Sequence, residues 1–205
     1  STAPLRVTFV CLGNICRSPT AHGVLREKLL AAGLAGQVEV DSAGTHGHWH
    51  AGRPPDERAQ APARRRGYDL SDLRARALTE ADFASSDLIL VMDWENLALA
   101  EHDAPPEHRR KVRRLTEFCR LHDSPVVPDP YYGGADGFER VLDLIEDACD
   151  GLIGHARRAA RCAARGGVRS AAAQSPRAQA RSSVTPPSLG NSFCSGSQRP
   201  ATHQS

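Results

Sequence analysis

Leu5-Arg-Val-Thr-Phe-Val-Cys-Leu-Gly-Asn-Ile-Cys-Arg-Ser-Pro19 is the stretch of this 205-residue chain that decides its fold. The part before Cys11 is rich in β-branched and aromatic side chains and predicts a buried strand that ends at the cysteine. Pro19 is typical of the first turn of a helix, and a helical pattern of apolar residues follows it to about Ala32. The residues between strand and helix are therefore predicted to form a tight loop.

This loop has the composition of a binding site for a tetrahedral anion. Its backbone N–H groups from Leu12 to Ser18 can turn inward, and the start of the helix adds its positive end. The same field favours a thiolate at Cys11, and Arg17 can clamp two phosphate oxygens with its planar guanidinium. We therefore predict Cys11 as a nucleophile and Arg17 as a clamp of the transition state. The predicted phosphate-binding residues are Leu12, Gly13, Asn14, Ile15, Cys16 and Ser18.

Three of these residues have further predicted roles. Gly13 lowers the steric cost of the turn, and Asn14 tolerates a positive φ better than most residues. Ser18 can donate a hydrogen bond from its hydroxyl to the sulfur of a departing cysteine.

A Cys-x5-Arg pattern alone is weak evidence for a phosphate loop, and its other interpretation is a structural cysteine followed by a helix-capping arginine. The preceding strand, the internal glycine and the following Ser-Pro favour the phosphate loop.

The stretch Val10-Cys-Leu-Gly-Asn-Ile-Cys-Arg-Ser-Pro19 closely resembles the signature of the low-molecular-weight protein tyrosine phosphatases. The resemblance spans about Leu5 to Cys162. Its other stretches are Asp41-Ser-Ala-Gly-Thr45, Ala75-Arg76 with Thr79 to Phe83, Val91-Met-Asp93 with Asn96-Leu97, and Pro128-Asp-Pro-Tyr-Tyr-Gly-Gly134. It implies an enzyme that hydrolyses phosphotyrosine and small aryl phosphates through a cysteinyl-phosphate intermediate.

The family resemblance also supplies a catalytic acid. Hydrolysis through a cysteinyl-phosphate requires a proton for the leaving phenolate and then a base for the attacking water. Asp129 is the candidate, because it lies between Pro128 and Pro130 on a stiffened segment. Without the cysteine loop, the same Pro-Asp-Pro sequence would indicate only a turn.

Four other positions are assigned by resemblance. Ser42 is expected to support Asn14 and the loop. Trp49, Tyr131 and Tyr132 are expected to form the walls of a pocket for an aromatic ring. The apolar Ile15 favours phosphotyrosine, since relatives that act on phosphoarginine tend to have threonine there.

Two positions depart from the family pattern. The residue after Ala21 is usually glutamate and is His22 here, a change that we expect to alter the charge of the first helix but not the chemistry. At Leu73, some relatives carry a histidine that supports the loop.

Cys16 leaves two interpretations open: a partner for Cys11 in a reversible disulfide, or a small buried hydrophobic residue.

The rest of the sequence predicts an α/β fold, a single domain over residues 1–165 with a central parallel sheet flanked by helices on both faces. The phosphate-binding loop after the first strand would then lie at the edge where such sheets bind ligands. Further strands are predicted at 38–41, 87–92 and 111–115, and further helices at 55–66, 94–100 and 137–164.

Composition limits the location and the partners. Residues 166–205 are rich in Ser, Pro, Ala, Gln and Arg and contain no acidic residue, so we expect a disordered tail. The whole chain has a formal charge of +2, but without the four arginines of that tail residues 1–165 have a formal charge of −2. A domain that is not basic is not expected to bind nucleic acid. No membrane-inserting segment or signal peptide is predicted. A catalytic cysteine favours the reducing cytoplasm, and the expected partner is a protein that contains phosphotyrosine.

A metal site, an arsenate reductase and a non-catalytic phosphate-binding module fit the sequence less well than a phosphatase does. His46, His48 and His50 alternate, but Gly47 indicates a loop, and we expect no metal and no cofactor. An arsenate reductase needs a relay pair of cysteines, whereas the chain has no cysteine between Cys16 and Cys119. A non-catalytic module that only binds phosphate would need neither a nucleophile nor an acid.

Overall fold

The computed structural model describes residues 3–172, with side chains described up to residue 165. Four parallel strands form one sheet in the order β2-β1-β3-β4. The strands are β1 (Leu5–Cys11), β2 (Val38–Gly44), β3 (Leu88–Val91) and β4 (Val112–Arg114), and the helices are α1 (Arg17–Ala31), α2 (Glu57–Arg65), α3 (Glu80–Ser85), α4 (Trp94–Asp103) and α5 (Ala135–Ala172). The predicted parallel α/β architecture is confirmed.

Alternation along the central strand β1 divides the core into two layers. Val7 and Phe9 are buried in the larger cluster, with side chains of α1 and α5. Val10 points to the opposite face and packs with Phe83 of α3 and Ala100 of α4. Because side chains of a strand alternate in direction, the apolar run that precedes the loop fills both layers. Helices therefore cover both faces, as predicted.

Helix α1 begins at Arg17, two residues before the predicted start at Pro19. Proline is tolerated anywhere in the first turn, because the N–H groups of that turn have no partner within the helix. Arg17 is thus the first helical residue, and Cys16 is the N-cap. This shift places the clamp on the helix rather than in the loop.

Helix α5 is longer than predicted, since it begins at Ala135 and is described to Ala172. It therefore overlaps residues 166–172 of the segment expected to be disordered, while residues 173–205 of that segment lie outside the described residues. None of the described helices, α5 included, is both long and apolar enough to cross a membrane.

Four of the described elements were not predicted: helix α3 and the 3-10 helices Gly47–His50, Pro106–Lys111 and Leu115–Phe118. Helix α3 is short and polar, and it is fixed by a capping box between Thr79 and Asp82 rather than by apolar periodicity. Residues Gly47–His50, predicted as a loop, form a 3-10 helix. This helix carries Trp49 to the edge of the sheet where β1 ends.

Candidate active site

Cys11 lies at the carboxyl end of the central strand and is only 3% exposed. Its carbonyl oxygen accepts a hydrogen bond from Thr45 N at 2.9 Å, and that of Leu12 accepts one from His46 N at 2.8 Å. These bonds tie the start of the loop to the segment that follows β2. The sulfur is therefore held at the edge of the sheet by its own backbone.

The N-terminus of α1 differs electrostatically from those of α2 and α4. Asp56 and Asp93 cap α2 and α4 by accepting backbone N–H groups. Helix α1 has no side-chain cap at Cys16 and no acidic residue in its first turn. Its free N–H groups and its positive dipole end are left to face an anion in the loop.

Asn14 organises the loop from within. It has a φ of 57°, a left-handed conformation that asparagine adopts more readily than most residues. Its Oδ1 accepts a hydrogen bond from Arg76 N at 3.0 Å, which fixes the orientation of the amide. Its Nδ2 then donates to Ser18 Oγ at 2.7 Å and to Ser42 Oγ at 3.2 Å. One buried side chain thus joins the loop, α1 and β2.

Ser18 lies next to the sulfur. Its Oγ is 3.0 Å from Cys11 Sγ. Because Ser18 Oγ already accepts a hydrogen bond from Asn14, its own hydroxyl can donate a hydrogen bond to the sulfur or to the carbonyl oxygen of Ala43, at 3.3 Å. A hydroxyl in this position stabilises negative charge on sulfur.

Arg17 is almost completely buried, with 3% of its side chain exposed. Its Nη1 donates to Asp93 Oδ2 at 2.6 Å and to the carbonyl oxygen of Val127 at 2.9 Å. Its Nη2 lies 3.5 Å from Asp129 Oδ2. Asp93, which was quoted only as part of a family motif, is therefore the anchor of the guanidinium.

Asp129 reaches the same guanidinium from an exposed segment, and 41% of its side chain is accessible. Its Oδ1 accepts a hydrogen bond from Tyr131 N at 3.1 Å. The carbonyl oxygen of Tyr131 accepts a hydrogen bond from Arg58 Nη1 at 2.7 Å, and the Arg58 guanidinium lies over the Tyr131 ring. Arg58 is in turn held by the carboxylate of Asp56.

A cleft of about 170 Å³ opens above Cys11 and is lined by all three predicted pocket walls, Trp49, Tyr131 and Tyr132. The Trp49 ring packs on His46 at 4.5 Å between centroids, and the two tyrosine rings meet edge to face at 4.9 Å. His50, which was not predicted for the pocket, also lines the cleft. In residues 3–165 we find no group of His, Cys, Asp and Glu side chains suited to hold a metal ion.

Cys16 has an environment unlike that of Cys11, although both lie in one loop. It is buried in a small apolar cluster with Ala59 and Phe138. This burial, together with the nearby carboxylate of Asp56, raises the pKa of Cys16 to about 12. Cys16 is therefore a thiol at neutral pH, and both cysteines are unpaired in the structure.

The structure brings the sequence-predicted site residues to one edge of the sheet. Cys11, Arg17 and Asp129 share the cleft, and Ser42 contacts Asn14 as expected. Four residues of the site were not predicted from the sequence: Asp93, Asp56, Arg58 and His50. Asp93 and Asp56 each precede a helix and had an N-cap signal in the sequence. Nothing in the sequence showed which side chains they would hold.

Comparison with known proteins agrees with this geometry. Residues 6–162 match the model of the family described as "Low molecular weight phosphotyrosine protein phosphatase". The chain is 45% identical to a low molecular weight protein-tyrosine-phosphatase of Streptomyces coelicolor, covering 74% of this chain and 93% of the relative, and 40% identical to YfkJ of Bacillus subtilis, covering 73% and 94%. The crystal structure of YfkJ superposes with a TM-score of 0.72 at 38% identity, covering 77% of this chain and 97% of that one. A tyrosine phosphatase structure from Entamoeba histolytica gives 0.72 at 37% identity, covering 76% and 98%. This chain belongs to the low molecular weight phosphotyrosine protein phosphatase family.

Proposed function

We propose that this chain is a protein tyrosine phosphatase that hydrolyses phosphotyrosine and small aryl phosphates through a phosphate ester on the sulfur of Cys11. The observation that carries the proposal is the meeting of three groups in one cleft: the Cys11 sulfur, the Arg17 guanidinium and the Asp129 carboxylate. They lie at the uncapped N-terminus of α1, where a tetrahedral dianion is favoured.

In the first step, the Cys11 thiolate attacks phosphorus and the P–O bond to the phenol breaks. Asp129, in its protonated form, gives its proton to the departing phenol oxygen. Backbone N–H groups of residues 12–18 and the Arg17 guanidinium stabilise the remaining phosphoryl oxygens. Asp93 and the carbonyl oxygen of Val127 hold Arg17 in place before the substrate binds, so little reorganisation is required.

In the second step, water attacks the phosphorus of the cysteinyl-phosphate. The Asp129 carboxylate takes a proton from this water, the S–P bond breaks, and inorganic phosphate forms. The thiolate of Cys11 departs with the bonding electrons. Ser18 stabilises this charge by donating a hydrogen bond from its hydroxyl, whose Oγ lies 3.0 Å from the sulfur.

The cleft favours an aromatic leaving group on a protein. Trp49, Tyr131 and Tyr132 offer aromatic surface around the entrance, and the apolar Ile15 lies beside the nucleophile. The exposure of Trp49 (57%) and Tyr132 (96%) leaves the entrance open to a side chain presented by another protein. The proposed partner is therefore a protein that contains phosphotyrosine, and neither nucleic acid nor membrane insertion is required.

We place this activity in the cytoplasm. A nucleophilic cysteine must stay reduced, and the five cysteines of the described residues are all unpaired. This agrees with a compartment in which thiols are maintained.

The test is the release of inorganic phosphate from an aryl phosphate and from a phosphotyrosine peptide, in buffer that contains a thiol and a chelator. Wild type and Cys11→Ser are compared, because serine keeps the size of the side chain but is a far weaker nucleophile. We expect Cys11→Ser to lose at least about 10⁴-fold in kcat. Thermal unfolding and the binding of inorganic phosphate verify that the variant keeps its fold and its anion site.

Near-normal turnover by Cys11→Ser would contradict the mechanism. A folded wild-type protein that hydrolyses neither substrate would contradict the function, and arsenate would then be the next substrate to try. Activity that is present in wild type and abolished in the variant would leave only the physiological substrate open.

A further inference from the structure

A continuous series of hydrogen bonds joins the catalytic sulfur to His22, which lies one turn beyond Ser18 on α1. Cys11 Sγ lies 3.0 Å from Ser18 Oγ, and Ser18 Oγ accepts a hydrogen bond from Asn14 Nδ2 at 2.7 Å. The same Nδ2 donates to Ser42 Oγ at 3.2 Å. Ser42 Oγ finally lies 3.1 Å from Nδ1 of His22. His22 itself does not line the cleft.

The direction of each bond follows from its neighbours. Arg76 N–H donates to Asn14 Oδ1, so both protons of Asn14 Nδ2 point away from it, one to each serine. Ser42 Oγ therefore accepts from Asn14, and its own proton needs an acceptor. His22 Nδ1 is the only other partner of Ser42 Oγ among the described side chains. The series thus ends in an acceptor at both ends: the Cys11 thiolate and the imidazole.

We propose that His22 is a positioning residue of the active site, whose unprotonated Nδ1 accepts the Ser42 hydroxyl and thereby holds Asn14 and Ser18 in the arrangement that stabilises the Cys11 thiolate. The role corrects the expectation that histidine at this position changes only the charge of α1. It rests on the function proposed above and deepens it.

The surroundings of His22 keep its Nδ1 available as an acceptor. Burial lowers the pKa of His22 to about 4, so the imidazole is neutral at physiological pH. The charged groups that face it act in opposite directions: Asp41 of β2 and Asp72 favour the protonated form, whereas Arg26 of α1 and Arg76 disfavour it. With Nδ1 accepting, the ring proton is on Nε2.

The test compares His22→Ala with His22→Asn. Alanine removes the acceptor, whereas the Oδ1 of asparagine can take the place of Nδ1. Alkylation of Cys11 by iodoacetamide is followed across the acidic pH range, because only the thiolate reacts. We expect His22→Ala to slow alkylation and to lower kcat by about three- to tenfold, the size of one lost hydrogen bond. We expect His22→Asn to restore most of both rates.

Ser42→Ala and the double variant with His22→Ala show whether the effect passes through Ser42. We expect the His22→Ala change to have little further effect once the Ser42 hydroxyl is gone. His155→Ala is the matched control, because His155 is a partly buried helical histidine that packs edge to face on Phe118, away from this series. It should leave alkylation and kcat unchanged.

Unchanged alkylation and kcat in His22→Ala would overturn the proposal. An equal loss from His22→Ala with and without the Ser42 hydroxyl would also overturn it, since the histidine would then act by another route. If His22→Ala fails to fold, His22→Asn and Ser42→Ala carry the test. Alkylation does not require turnover, so the proposal can fail or hold whether or not the wild-type protein hydrolyses phosphotyrosine.

Discussion

The phosphate loop (residues 11–18) and the acid loop (residues 127–134) meet at Arg17, but they are held in different ways. The phosphate loop is largely buried, and Asn14 bonds to Ser18 within it, to Ser42 of β2 and to the backbone of Arg76. The acid loop exposes Asp129 and Tyr132, and its outer part is held chiefly by short turns and by Arg58. The phosphate loop must match a transition state, so its hydrogen-bond donors need fixed positions. The acid loop must let substrate and water reach the site, so it is held more loosely.

The largest effect in the acid loop should come from Asp129→Ala. We expect kcat/KM for phenyl phosphate, which reports the first chemical step, to fall about 10²- to 10⁴-fold, because the phenolate then leaves without a proton. The loss in kcat/KM should be much smaller for p-nitrophenyl phosphate, since its leaving group needs less protonation. Steady-state kinetics on the two esters, with phosphate release as the signal, measure the difference.

Asp129→Asn separates the proton from the shape of the side chain. It keeps the size of aspartate and can still accept a hydrogen bond from Tyr131 N. Because an amide cannot give or take the catalytic proton, we expect Asp129→Asn to lose as much activity as Asp129→Ala does. Equal losses in kcat/KM on both esters would contradict a role for Asp129 as the acid. The phosphate loop would then have to supply the leaving group's proton.

The two loops also differ in how far sequence could predict them. Nucleophile, turn and clamp of the phosphate loop lie within one stretch, so elementary rules for strands, helix starts and anion sites located Cys11 and Arg17. Asp129 came from family resemblance, because a Pro-Asp-Pro turn has no periodicity to interpret. Asp93 lies 76 positions from Arg17, and only the parallel sheet brings the two together. His22 was noticed as an unusual residue, but its contact with Ser42 depends on the packing of α1 on β2.

In the phosphate loop, Asn14→Ala should be the most damaging change outside the catalytic groups. It removes two buried hydrogen bonds and one partly buried one, and it forces the positive φ of residue 14 on an alanine, which disfavours it. We expect the free energy of unfolding to fall by about 2–4 kcal/mol. We expect kcat to fall by about 10- to 100-fold, because backbone donors lose their alignment.

Asn14→Gly distinguishes the two causes. Glycine accepts the positive φ without strain but restores none of the hydrogen bonds. If the bonds dominate, the glycine and alanine variants should lose similar activity. A glycine variant close to wild type would show that the conformation of residue 14, and not its bonds, shapes the loop. Chemical denaturation and steady-state kinetics on the same samples give both quantities.

Arg58 is the point at which the loops are joined most directly through α2. Asp56 N donates to the carbonyl oxygen of Ile15 in the phosphate loop, and the Asp56 carboxylate holds Arg58 against the Tyr131 carbonyl. We expect Arg58→Ala to lower kcat/KM for phenyl phosphate about fivefold, because the acid loop loses a tether but keeps the Tyr131-to-Asp129 bond. The loss in kcat/KM should depend on the leaving group in the same sense as that of Asp129→Ala.

Arg64→Ala is the matched control for Arg58. Arg64 lies on the same helix, is exposed and, among the described residues, forms an ion pair only with Glu57. Arg64→Ala should leave kcat and kcat/KM unchanged, since exposed ion pairs contribute little. A loss in Arg58→Ala that is the same for good and poor leaving groups would show that the tether serves the fold of α2 and not the position of the acid.

The smallest effect should come from Tyr132→Ala, at the outer edge of the acid loop. Its side chain is 96% exposed and touches the rest of the site chiefly through the edge of the Tyr131 ring. An exposed ring can gain contact only when a substrate covers it, so we expect kcat to stay within about twofold and KM for a phosphotyrosine peptide to rise about two- to fivefold. Phenyl phosphate, too small to reach the rim, should show no change in KM. A fall in kcat instead would mean that Tyr132 orders Asp129, and the acid loop would then be held as firmly at its tip as the phosphate loop is at Asn14.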